Sequence, residues 1–303
     1  MQGSIVRSFG NFFFLHVMNR WVAGADAGDA AAYCRRVGSA CMINLLGEHY
    51  RKSADALETV AEYKRLVDAL NPQEASLTLK PSQFGFNAED AKDAAAFCRK
   101  NLLEVARYAS KKGIAVWLDM EDSRFTDFTL DFYETLPPGW NAGICLQANL
   151  LRTEKDLGRL IRLSAARDVR VRLVKGIYEE RPEISVRDPG RLHARFLKLI
   201  RHAFSESPPS FGIAVGTHHE EAVGLAVRLQ KKYRKKFFEI QVLKGVLPEY
   251  YKRLRASGIP LSEYVPYGKD AFAYSVRRAR KNPRFASSVL FAVFFDAYKK
   301  LYH

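Results

Sequence analysis

Eight short apolar runs, separated by stretches of helical periodicity, restrict this chain to very few folds. They lie near 41–46, 76–81, 115–120, 142–149, 170–176, 211–218, 237–243 and 262–268. Seven of them carry a polar residue at or near the carboxyl end: Lys80, Asp119, Gln147, Arg172, Thr217 with His218, Gln241 and Tyr264. The neighbouring leucines Leu79, Leu118, Leu146 and Leu173 fall on the opposite strand face, because side chains alternate along a strand. Helical patterns fill the gaps at 54–70, 87–112, 157–165, 191–204, 220–233 and 248–257, the second read as capped by Asn87 and ending before Gly113. Repeated strand–helix alternation of this kind predicts an α/β fold, a TIM-like (βα)8 barrel with polar groups gathered at its mouth. Residues 1–40 read as an N-terminal helical segment. Residues 41–303 read as one barrel domain, with an apolar helix at 286–302 packed over it.

At 303 residues and 48% hydrophobic content, the chain can bury a substantial core. Its net charge of +15 gathers in the runs 231–236 and 277–284. Such runs are solvated faces by default; the functional alternatives are an anionic membrane surface or an anionic cofactor. No zinc finger, basic zipper or RNA-recognition signature accompanies the charge, so nucleic acid is not expected as a partner. Cys34, Cys41, Cys98 and Cys145 have no paired spacing and read as reduced core residues of a cytoplasmic protein. The apolar run 12–17 is too short to span a bilayer, which leaves peripheral contact with a membrane open.

Glycine fingerprints for a Rossmann or phosphate loop are absent, as are the zinc-protease helix and the nucleophile elbow. His218-His219-Glu220-Glu221 invites a metal reading. On an extended strand, however, adjacent residues face opposite ways, and the spacing matches no common ligand set, so no metal is expected. The segment 264–268 leads into a helix that carries Tyr274, Arg277, Arg278 and Lys281 on one face. Adjacent arginines beside a tyrosine make a receptor for a carboxylate, since guanidinium is a planar fork of donors; the alternative is an exposed basic helix.

Taken in order, Leu79-Lys80, Trp117-Leu118-Asp119-Met120-Glu121-Asp122-Ser123, Cys145-Leu146-Gln147-Ala148, Arg172-Leu173-Val174-Lys175-Gly176-Ile177-Tyr178-Glu179, Thr217-His218, Phe238-Glu239-Ile240-Gln241 and Tyr264-Val265-Pro266-Tyr267-Gly268 with Tyr274 and Arg277-Arg278 resemble the proline dehydrogenase family. The resemblance covers about 75–285 and points to the monofunctional enzymes. It implies a distorted barrel that binds FAD non-covalently, oxidises L-proline to 1-pyrroline-5-carboxylate and passes electrons to a membrane quinone. On this sequence it implies that Arg277 and Arg278 clamp the substrate carboxylate and that Tyr264 and Tyr274 pack on the ring. Lys80 and Asp119 would close the floor and wall of the pocket. Arg172 would stand near the flavin N5, Gln147 would bond the isoalloxazine, and Val174, Lys175, Gly176, Thr217 and His218 would hold the flavin and its phosphates.

The chain departs from the family pattern at four positions: Lys281 stands where a Glu is usual, Asn149 for Tyr, His219 for Asn and Phe272 for Trp. Lys281 motivates a second reading, in which the substrate is a modified proline or another cyclic amino acid. A third reading is a barrel without catalysis that binds membranes or acidic partners through its basic runs. A fourth is a cofactor-free lyase using Lys80 or Lys175 as a Schiff-base amine.

Overall fold

A computed structural model of the chain describes residues 20–37 and 40–270. A helix α1 (Ala27–Val37) precedes strand β1 (Ala40–Leu45). Then follow α2 (Ser53–Ala69), β2 (Ala75–Leu79), α3 (Ala94–Lys111), β3 (Ala115–Leu118), α4 (Thr126–Thr135), β4 (Ala142–Gln147) and α5 (Thr153–Leu163). The second half runs β5 (Arg170–Val174), α6 (Pro189–Glu206), β6 (Gly212–Gly216), α7 (Glu220–Tyr233), β7 (Phe238–Leu243), α8 (Pro248–Ala256) and β8 (Leu261–Tyr267). All eight strands are parallel, and β8 closes on β1 over six residue pairs from Ala40↔Ser262 to Leu45↔Tyr267.

Alternation along the strands sorts the interior. Leu79, Leu118, Leu146 and Leu173 belong to the apolar layer between barrel and helices, all of them 2% exposed or less. Met42, Trp117 and Ala214 form a separate cluster with Phe237 and Tyr264 inside the barrel. A leucine buried in the outer layer contributes about 1.5–3 kcal/mol, so the helical jacket carries most of the stability and the barrel mouth is left free for polar groups. Tyr63 of α2 ties the two layers: it is fully buried and its hydroxyl donates to the Thr78 carbonyl at 2.7 Å.

Two helical readings are corrected. The helix expected to start at Asn87 starts at Ala94, where the Asp93 side chain accepts from the Ala96 N–H at 3.0 Å and caps it. The stretch before it folds as turns, with Glu89 bonded back to the Arg51 carbonyl at 2.8 Å. The short helix α4 escaped the sequence reading, because its ten residues carry polar groups at most positions. Tyr274, Arg277, Arg278, Lys281 and the expected helix 286–302 lie outside the described residues.

Candidate active site

Arg172 is the centre of a charged lattice inside the barrel mouth. It projects inward from β5 and is only 4% exposed. Its Nη2 donates to Asp119 Oδ1, and its Nη1 lies 3.5 Å from Gln241 Oε1. The other Asp119 oxygen accepts from the Tyr264 hydroxyl at 2.7 Å. The guanidinium also sits 5.6 Å from the Trp117 ring centre and 5.9 Å from that of Tyr264. Glu239 orients Gln241: one carboxylate oxygen accepts from Gln241 Nε2 and the other from Ser262 Oγ, the latter at 2.6 Å. With its N–H₂ group held this way, the amide of Gln241 turns its oxygen toward Arg172. Six side chains, Arg172 of β5, Glu239 and Gln241 of β7, Ser262 and Tyr264 of β8 and Asp119 at the end of β3, thus hold one another.

Burial works against the Arg172 charge, but Cys145, Asp119 and Tyr264 around it hold the guanidinium above its ordinary pKa. Desolvation, and next the Asp119 charge, keep the Tyr264 phenol protonated well past its usual range. A fixed cation and a neutral hydroxyl donor are therefore both in place near neutral pH. Arg172 Nε–H is buried with no hydrogen-bond partner among the described residues. A buried donor without an acceptor is costly, so this atom suits an acceptor on a bound ring.

Lys80 follows β2 and its ammonium reaches Glu48 at 2.6 Å, with a side chain 13% exposed. Burial opposes its charge, while Glu48 and then Asp119 favour it, and the net effect raises its pKa. Behind it, Glu121 is fully buried and accepts from the Ser82 N–H at 2.8 Å and from the Ser82 hydroxyl. Desolvation pushes the Glu121 carboxyl up to about 7, against the Ser82 bonds and Lys80. Gln147 is 2% exposed and donates to the Glu121 carbonyl at 2.7 Å.

The β5–β6 rim is different in kind. Gly176 adopts φ +100°, and a Cβ there would meet the Asn149 amide at 2.1–2.9 Å. Gly216 has Val174 Cγ1 at 2.8 Å from the same virtual atom. Val174, Lys175 and Gly176 remain half-exposed, and the Val174 and Lys175 carbonyls accept from the Ala148 and Asn149 N–H groups at 2.8 and 2.9 Å. The Thr217 hydroxyl accepts from the His219 N–H at 3.1 Å. The His218 imidazole turns away toward α8, bonding Tyr251 and accepting from the Leu243 N–H at 3.4 Å. The His218 side chain is thus engaged with α8 and β7.

Neither His218 nor His219 lies on a strand, because β6 ends at Gly216. The facing argument made from sequence does not apply, and His219 meets His193 of α6 with ring centres 4.1 Å apart. Desolvation, then His193 and Lys175, lowers the pKa of His219.

Glu48, Glu121, Glu239 and His193 were given no role from sequence. For Glu239 a signal existed, since it precedes Gln241 by two and so shares its strand face. Glu48 and His193 come from loop and helix positions that only the closed barrel brings to the mouth.

The sequence profile described as "Proline dehydrogenase" matches residues 27–289. "Proline dehydrogenase 1" of Bacillus subtilis subsp. natto is 29% identical over 281 residues, which is 89% of this chain and 88% of that one. "Proline dehydrogenase" of Deinococcus radiodurans is 28% identical over 285 residues, 91% and 89% of the two chains. Among solved structures, proline utilization A from Bdellovibrio bacteriovorus, inactivated by N-propargylglycine, superposes with a TM-score of 0.78 at 20% identity. That match covers 87% of this chain and 32% of the other, so this protein spans about a third of the length of that larger relative and shares its barrel fold. With the profile running across nearly all of the barrel, the chain belongs to the proline dehydrogenase family.

Proposed function

We propose that this protein oxidises L-proline to 1-pyrroline-5-carboxylate in proline catabolism, using non-covalently bound FAD and a membrane quinone as final acceptor. The observation that carries the reading is the buried Arg172–Asp119–Tyr264 lattice at the carboxyl ends of the strands, with one Arg172 donor left for a bound ring. When bound, FAD supplies the acceptor for the hydride. Arg172 places a fixed positive charge where negative charge grows, and it pays little reorganisation because its neighbours already hold it. Lys80 and Asp119 close the floor and wall of the substrate pocket. The Tyr264 ring packs on the substrate, joined by Tyr274, and Arg277 with Arg278 clamps the carboxylate.

The β5–β6 rim fits the cofactor's phosphates. Gly176 has a positive φ and no Cβ, and its neighbour Lys175 brings an ammonium, a combination that suits an anion. Gln147 of β4 would bond the flavin ring, and Val174 and Thr217 would help to hold the cofactor. The net charge of +15 suits work at an anionic membrane surface. Among the described residues no helix is long and apolar enough to cross a membrane. Lys281 keeps a second substrate in view, a modified proline or other cyclic amino acid.

The test is an absorption spectrum. The purified chain, or the chain after FAD addition, should be yellow and bleach when L-proline is added without oxygen. A colourless protein that takes up no FAD would refute the reading. Bleaching by a proline analogue but not by L-proline would select the second substrate.

A further inference from the structure

Outside the charged lattice, one cluster of potential ligands among the described residues has no part in the proposed chemistry. His193 of α6, His219 just before α7 and Glu221 in its first turn each offer a donor atom, and the three atoms lie within 4.8 Å of one another. His193 Nε2 and Glu221 Oε2 are 2.8 Å apart. The imidazole rings of His193 and His219 are 4.1 Å apart and tilted by 39°. His193 Nδ1 is buried and has no hydrogen-bond partner among the described residues.

From these contacts we infer that His193, His219 and Glu221 form a binding site for a transition-metal dication of the zinc class. Ligands of a tetrahedral zinc stand about 3.4 Å apart, given metal–ligand bonds of about 2.1 Å. One pair here is already closer than that, and side-chain rotation of His219 or Glu221, both exposed, covers the rest of the distance. Two imidazoles and one carboxylate favour zinc, nickel or copper over magnesium and calcium, which take all-oxygen sets. Three protein ligands leave one position for water.

Two features oppose the cation. Lys175 is near enough to act on both His219 and Glu221, and the α7 N-terminus carries the positive end of its helix dipole. They place the affinity in the range of an accessible regulatory site, below that of a structural zinc core. The site adjoins Lys175 and Thr217 on the β5–β6 rim, but it does not depend on the proposed cofactor or substrate.

A simpler role for the His193–Glu221 contact is an ion pair that clips α6 to α7. His219→Asn separates the two. It leaves that pair intact, and the His219 side chain makes no capping bond, while Asn is a good cap. The experiment titrates the full-length protein with Zn²⁺ and, separately, with Mg²⁺ in a calorimeter. One zinc should bind and magnesium should not. Outer-shell partners of metal ligands are already worth ~10–100-fold in affinity, so His219→Asn and Glu221→Gln should each weaken zinc by roughly 10-fold or more. His202→Asn, on the same helix as His193, should leave it unchanged. Absence of zinc binding, or zinc binding untouched by His219→Asn and Glu221→Gln, would overturn the inference.

Discussion

The two sides of the barrel mouth are built on opposite principles. The side formed by β3, β7 and β8, with Arg172 reaching across from β5, is filled by interlocked charges: Asp119, Gln241, Glu239 and Tyr264 all hold or brace that one guanidinium. The β5–β6 rim is built from Val174, Lys175, Gly176, Gly216 and Thr217, with a positive φ at Gly176. A charged lattice excludes water and fixes geometry, which suits reaction chemistry. A glycine at positive φ beside a lysine ammonium suits a phosphate. The same alternating strands produce both sides, and only the identity of the inward residue differs.

Substitutions on the two sides should therefore fail differently. The largest effect is expected for Arg172→Ala, which leaves Asp119 buried without its cation. Breaking a buried pair from one side costs about 3–5 kcal/mol, to be read from urea unfolding. The rate of flavin reduction should fall by about 10²–10³-fold. Retention of both would remove the lattice from the mechanism.

On the β5–β6 rim, Gly176→Ala should act on cofactor affinity. The strained φ costs about 1–3 kcal/mol and the new Cβ strikes Asn149. Gly139→Ala is the control: it shares a positive φ of 87° but has nothing within 4 Å, so it should cost stability alone. Equal FAD affinity in the two variants would dissolve the distinction between the sides.

For Arg277→Ala and Arg278→Ala, a lost bidentate contact of about 2 kcal/mol should raise KM for the amino acid roughly ten-fold or more while FAD stays bound. Unchanged KM would reassign the carboxylate clamp.

A pH dependence that separates the two sides concerns Glu121, whose folded-state pKa lies near 7, above its ordinary value of 4.5. Between these values the folded protein holds a proton that the unfolded chain has released. Stability from this group is therefore full below about pH 4.5 and is lost as pH rises to about 7, at up to ~1.4 kcal/mol per pH unit. Glu121→Gln can still accept from the Ser82 N–H and donate to its hydroxyl, so it should fold and flatten that slope. Urea midpoints across this pH range, equal in slope for both proteins, would contradict the assignment.

Much of this was legible in residue order. Alternation in runs such as Val171-Arg172-Leu173 puts Leu173 and Arg172 on opposite strand faces, because strand period two is a local steric property. Helix starts were less legible. Asn87 and Asp93 are both good caps, and the choice depended on packing of the turn beneath, where Glu89 bonds Arg51. The site was readable as far as its strand residues went. Its members outside the strands, Glu48 in a loop and His193 in α6, carry no period-two signal.

What the amino-acid order determined alone was the eight-fold strand alternation and which strand residues share a face, since both follow from local backbone geometry. Closure of the barrel decided the rest. It brought Asp119, Arg172, Gln241 and Tyr264, far apart in the chain, into bonding distance; it sent the His218 ring to Tyr251; and it set His193 beside His219. These pairings depend on register across non-adjacent staves, and no local property of the chain encodes that register.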